Sequence, residues 1–191
     1  TGPIHVAHLR GAVLGDVITS ILLKTGNEVT KEYYVNDAGT QIDILANSLF
    51  KRYKQSLGIK INFNEHEYPG EYLLDLAKKI KDQYNDFWIE AETKKRNKFF
   101  KEFAVNELIN NIKKDLKLIN INFDKYTFES EIVKNNLIED LIDKLKKSNL
   151  LYEGILDKPQ GDEYDQWKSR KQLLFKSSKL FDDKDRPLKK E

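Results

Sequence analysis

Thr1-Gly2-Pro3-Ile4-His5-Val6-Ala7-His8-Leu9-Arg10, with Gly15-Asp16 a turn and a half further on, opens the chain and decides how the rest is read. A Gly-Pro turn passes directly into a helical pattern. Val13, Leu14, Val17, Ile18, Ile21 and Leu22 repeat at helical spacing over residues 8–24, and Gly26 stands where a left-handed cap is expected. A helix start presents free backbone N–H groups and the positive end of its dipole. His5 and His8, three residues apart, lie on one side of the first turn. Together they can hold a polyphosphate and offset charge that develops on it. Taken alone, the same residues are also consistent with two surface histidines in a helix-capping turn.

Working outward, residues 28–35 are rich in Val, Thr and Tyr and predict a strand. Asn36-Asp37-Ala38-Gly39 predicts a turn. A second helix is expected over 41–57, with Ile42, Leu45, Leu49 and Tyr53 on one face and Gly58 as its stop. Helix, strand, helix is the order of a doubly wound α/β unit lacking its first strand. Beyond the Tyr68-Pro69-Gly70 turn the pattern predicts a helix over 71–85, a long helix over 88–118 and a short strand over 123–128. An amphipathic helix over 131–148 and strands over 150–156 and 173–177 follow, the strands joined by a polar loop over 157–166.

Bulk composition bounds the function classes. Of 191 residues, 39% are hydrophobic and 34% charged; 33 basic and 31 acidic residues leave a net charge of +2. Nucleic-acid contact would therefore come from local patches. The chain has no Cys, which excludes disulfides and thiolate metal sites, and no Met, so it reads as a fragment of something longer. No apolar run approaches the roughly 20 residues of a membrane span. A zinc site fails on ligand count, because His66 is the only further histidine, and no metal ligands are expected.

Four segments in order carry a resemblance: the opening; Tyr33-Tyr34-Val35-Asn36-Asp37-Ala38-Gly39-Thr40-Gln41; Tyr68-Pro69-Gly70-Glu71-Tyr72-Leu73; and Asp182-Asp183-Lys184-Asp185-Arg186. The chain resembles class I arginyl-tRNA synthetases, and its opening is similar to that family's "HIGH" motif. The resemblance implies an α/β, partial doubly wound (Rossmann-like) nucleotide-binding fold with a helix-rich α+β insertion. Residues 1–58 would form the first half of the catalytic domain, 59–181 the connective insertion and 182–191 the return toward the second half. It implies use of ATP and Mg²⁺ to activate L-arginine, which is then transferred to tRNA(Arg). The protein is expected to be a cytoplasmic monomer that makes no membrane contact, and the isolated fragment to be inactive.

Residue by residue, the resemblance gives His5 and His8 the catalytic role and places Gly2, Pro3, Ala7 and Asp16 with them around ATP, Asp16 being equally consistent with a place on the helix surface. Tyr34, Asn36, Asp37, Gly39 and Gln41 follow a strand end, where α/β folds place ligand contacts, and are expected to touch substrate or support the pocket; the alternative is that Asn36-Asp37-Ala38-Gly39 only builds the turn and caps the second helix. Lys94, Lys95, Arg96 and Lys98, interleaved with Phe99 and Phe100, are candidates for tRNA phosphates; a solvated helix face is the alternative. Two departures stand out. Ala7 replaces a glycine that leaves room for adenine, and Phe181 replaces a usual glycine before Asp182. Ala7 supports one alternative, a non-catalytic RNA-binding module; the other, another class I synthetase, is opposed by the second and third segments, which match the arginyl type in particular.

Overall fold

The computed structural model describes residues 2–156 and 170–188, in two compact units, residues 1–131 and 132–191. The loop expected over 157–166 lies outside the described residues.

The first unit runs α1 (Val6–Lys24), β1 (Glu32–Val35), α2 (Thr40–Ser56), α3 (Tyr72–Tyr84), a single turn α4 (Phe87–Glu90), α5 (Thr93–Leu118) and β2 (Lys125–Phe128). α6 (Glu129–Lys134) begins in it. β1 and β2 pair in parallel, Glu32↔Lys125 through Val35↔Phe128. The strand expected over 28–35 is thus only four residues long, because only those four have a partner. Asp124 prepares the pairing: its carboxylate accepts the Lys31 N–H at 2.7 Å, and its own N–H donates to Lys31 O at 2.9 Å.

Two cores share α5. Its first half joins α2 and α3 around Leu45, Leu49, Tyr53, Leu73, Ile80 and Phe100, all at most 1% exposed. Its second half lies under the sheet through Ile109, Ile112 and Leu116, with Val35 and Ile121. The break expected at residue 58 is therefore not a break between compact bodies, since α2 packs with α3 and α5 across it. The long helix expected over 88–118 is interrupted where Ala91 and Glu92 turn extended. That break folds Trp88 back onto Phe99, rings stacked 4.0 Å apart. Burying so large a side chain outweighs one interrupted helical turn, being worth roughly 1.5–3 kcal/mol even for a smaller Leu or Phe.

α1 departs from expectation. Val13, Leu14, Val17, Ile18, Ile21 and Leu22 are exposed, and Thr19 is the helix's one buried residue. With 19 residues and a hydropathy of 1.5, α1 is also long and apolar enough, by length and composition, to cross a membrane, contrary to the reading of the sequence. His8, Arg10 and Asp16 break the apolar run in sequence without lowering its average enough to exclude it.

In the second unit, α7 (Leu137–Lys147) precedes β3 (Leu151–Gly154), β4 (Gln172–Phe175) and β5 (Arg186–Pro187), which form an antiparallel sheet in that order. The single helix expected over 131–148 is two helices, parted at Asn136, whose φ is +54°. Asparagine supplies the positive φ after α3, α5, α6 and α7, at Asn85, Asn120, Asn136 and Asn149. Asp182-Asp183-Lys184-Asp185-Arg186 is a turn held by ion pairs. Arg186 Nη2 meets Asp182 Oδ1 at 2.8 Å and Asp183 Oδ1 at 2.5 Å. Hydrogen bonds from Arg186 hold the Asp182 carboxyl well below the usual carboxylate range.

Candidate functional site

A cleft of about 980 Å³ runs along α1 in the first unit. Gly2, Pro3, His5, Ala7, His8 and Asp16 all line it. Its floor is apolar, from Ile112, Leu116, Ile121 and Phe123.

His5 is the N-cap of α1, with extended backbone (φ −127°, ψ 174°). The two imidazoles stack with centroids 3.7 Å apart, and the His5 N–H donates to His8 Nδ1 at 3.4 Å. A histidine at the third helical position thus does what a glutamate does in a capping box. It does so without a negative charge, and α1 has no acidic residue in its first turn. The helix end keeps its affinity for anions. Accepting at Nδ1 leaves Nε2 of a neutral His8 as the N–H donor.

Asp16 meets Lys31 Nζ at 3.0 Å, both side chains about a quarter exposed. Lys31, unremarkable in sequence, therefore sits in the cleft and ties α1 to the approach of β1. Tyr34 and Tyr72 complete the wall. Tyr72 belongs to the third sequence segment, but nothing in that segment showed which of its residues would face the cleft. Burial pushes both phenols up, keeping them protonated hydroxyls. Gly70 makes room for Tyr72: a Cβ there would stand 2.6 Å from the ring's Cδ1.

The other expected site residues lie elsewhere. Asn36 and Asp37 turn toward residues 129 and 130, away from the cleft lining, and Gly39 (φ +85°) is the N-cap of α2. Gln41 is exposed on α2. On α5, Lys94, Lys95 and Lys98 are exposed, whereas the Arg96 guanidinium stacks on Phe50 at 4.3 Å. Among the described residues no three His, Asp or Glu side chains gather as a metal site.

The fold, α/β and Rossmann-like with a helical insertion, is that of class I synthetases. The family described as tRNA synthetases class I (R), catalytic domain, matches residues 1–156, and the chain belongs to that family. It is 45% identical over 191 residues to an arginine–tRNA ligase of Wolbachia pipientis wMel, covering all of this chain and 33% of that protein. Against the arginine–tRNA ligase of Ehrlichia chaffeensis identity is 42% over 190 residues, with the same coverage. A solved Campylobacter jejuni structure, assigned as an arginyl-tRNA synthetase, superposes with a TM-score of 0.74 at 28% identity, covering 97% of this chain and 37% of that one. The chain thus spans about a third of the length of the curated relatives it matches.

Proposed function

We propose that the protein carrying this chain is an arginine–tRNA ligase of the cytoplasmic translation machinery, acting as a monomer. It activates L-arginine with ATP to arginyl-adenylate and transfers arginine to tRNA(Arg). The observation that carries the reading is the convergence of Gly2, Pro3, His5, Ala7 and His8 on one cleft at the start of α1. As the arginine carboxylate attacks the α-phosphorus, the bond to pyrophosphate breaks and negative charge moves onto the leaving phosphates. The α1 N-terminus and the two imidazoles offset that charge where it grows. Mg²⁺ would be held chiefly by the phosphates themselves and would neutralise them, as it commonly does at nucleotide sites.

In this reading residues 1–58 belong to the nucleotide-binding half and 59–181 to the insertion, with 182–191 returning to the rest of the catalytic domain. The pairing of β2 with β1 supports counting 123–128 with the first half too. The apolar α1 face is read as a surface for the remainder of that domain rather than for lipid, because the same helix carries the paired Asp16 and the cleft histidines. Lys94, Lys95 and Lys98 are exposed and would meet tRNA phosphates, Lys98 in exchange for its 3.9 Å pairing with Glu102. Arg96 is occupied by Phe50, so this reading leaves it out.

Pyrophosphate exchange into ATP by the full-length protein, screened over amino acids with and without tRNA, tests the reading. Exchange with arginine alone among the amino acids supports it. No exchange from a folded protein overturns it in favour of a non-catalytic RNA-binding module, and exchange with another amino acid points to another class I synthetase.

A further inference from the structure

Past Val35↔Phe128 the backbone ladder between β1 and β2 stops, but the register goes on in side chains. Asn36 faces Glu129: its amide, oriented by its partners, donates to Glu129 Oε2 at 2.9 Å and to Ala38 O at 3.1 Å. Asp37 faces Ser130, accepting the Ser130 N–H at Oδ1 (2.9 Å) and its hydroxyl at Oδ2 (2.5 Å). Tyr34, two residues before Asn36, lines the cleft. One dipeptide thus takes hold of two residues of the 33–41 segment from 93 positions away.

We propose that Glu129 and Ser130 are positioning residues, which fasten the Asn36-Asp37-Ala38-Gly39 turn and through it hold Tyr34 against the mouth of the ATP cleft. Its catalytic part rests on the synthetase reading; the fastening itself does not. Two carboxylates and two donors satisfy one another in pairs, so each loss leaves a polar group without its partner. Val35 is buried and the turn leads directly into α2, so the rest of β1 and α2 hold without the dipeptide. What slackens is the turn and the Tyr34 ring, and the effect falls on binding in the cleft more than on the chemical step.

The test uses the full-length protein with Ser130→Ala, Glu129→Gln and Ser130→Thr. Amide hydrogen exchange is read at residues 36–40, together with melting temperature and arginine-dependent pyrophosphate exchange. The alanine and glutamine variants are expected to exchange those amides about tenfold faster. KM for ATP should rise about fivefold with kcat within twofold, and Ser130→Thr, which keeps the hydroxyl, should restore both. Unchanged amide protection overturns the fastening. Faster amide exchange with KM unchanged, or with kcat and melting temperature falling together, overturns the positioning role. If the unsubstituted protein shows no arginine-dependent exchange, the synthetase reading fails, and amide protection alone then decides the fastening.

Discussion

Lys31 and Asp16 join the middle of α1 to the approach of β1 across 3.0 Å, inside the cleft and only partly open to water. α1 buries little else, with Ile4 just before it and Ala12 on it touching the sheet core, so this pair carries much of its attachment in the described chain. Its worth lies between that of an exposed pair and that of a buried one.

Asp16→Asn and Lys31→Met should each destabilise the full-length protein by about 1 kcal/mol. Together they should cost less than the sum of the two. A double-mutant cycle in denaturant at low and high salt measures the coupling; strictly additive effects would show that the pair contributes nothing.

His5→Ala and His8→Ala should each slow arginine activation roughly 10²-fold, the scale for losing one oriented donor to a transition state. Since His8 also receives the His5 N–H, His8→Ala should in addition loosen the first turn of α1. Single-turnover adenylate formation in the full-length protein is the measurement, and rates equal to the unsubstituted protein in both variants would remove the phosphate role.

Ala7→Gly should lower KM for ATP about fivefold, as expected when a methyl group that crowds a ligand by about 1 kcal/mol is removed. Ala7 is exposed on the cleft wall, so the change removes no packing inside the protein. An unaltered KM would mean that the nucleotide already clears the Cβ.

Phe181 has φ +71° and ψ +18° and is fully exposed, so it holds a left-handed backbone with no packing to compensate. Phe181→Gly should stabilise the protein by ~0.5–1 kcal/mol, the left-handed strain relieved less the entropy glycine adds to the unfolded chain. Thermal melts of the two proteins decide it; a lower melting temperature would show that the freedom glycine adds to the unfolded chain outweighs the strain relieved.

The 182–186 turn should loosen in acid. Hydrogen bonds from Ser178 and then Tyr152 lower the Asp185 carboxyl, and Arg186 lowers Asp182. Groups depressed in the folded state add stability that is fully present above the ordinary aspartate range and is lost as pH falls through their folded values. Protection of the Ser178 N–H, which donates to Asp185 Oδ1, should therefore hold at neutral pH and fall away below about pH 4. Protection that is flat across this window would contradict the assignment.

Much of this architecture was legible in sequence because periodicity and punctuation agree. In α2 the predicted stripe Ile42, Leu45, Leu49 and Tyr53 is buried, joined by Ala46 and Ser48, which the stripe does not include, and in α3 Leu73, Leu76, Ala77 and Ile80 are buried while Leu74 is exposed. The α1 stripe is just as clear, yet its residues are exposed, because periodicity reports which face needs a partner and not whether one is present. The breaks at Ala91–Glu92 and Asn136 were hidden for a different reason. The first is imposed by Trp88 finding Phe99, a tertiary event, and the second by an asparagine that is unremarkable until its φ is known. In the cleft, the spacing of His5 and His8 places both at one helix start. Lys31, Glu129 and Ser130 carry no local pattern, and their roles come from partners up to 93 residues away.

The parallel pairing of β1 with β2 has a consequence for synthesis. β1 leaves the ribosome long before its partner, and everything from Asn36 to Asp124 must emerge before the two can meet. The α2–α3–α5 bundle uses nearer contacts and can form first, carrying the later strand back to the earlier one as it closes. Until then Tyr33, Tyr34 and Val35 wait without the β2 backbone that the finished fold lays beside them.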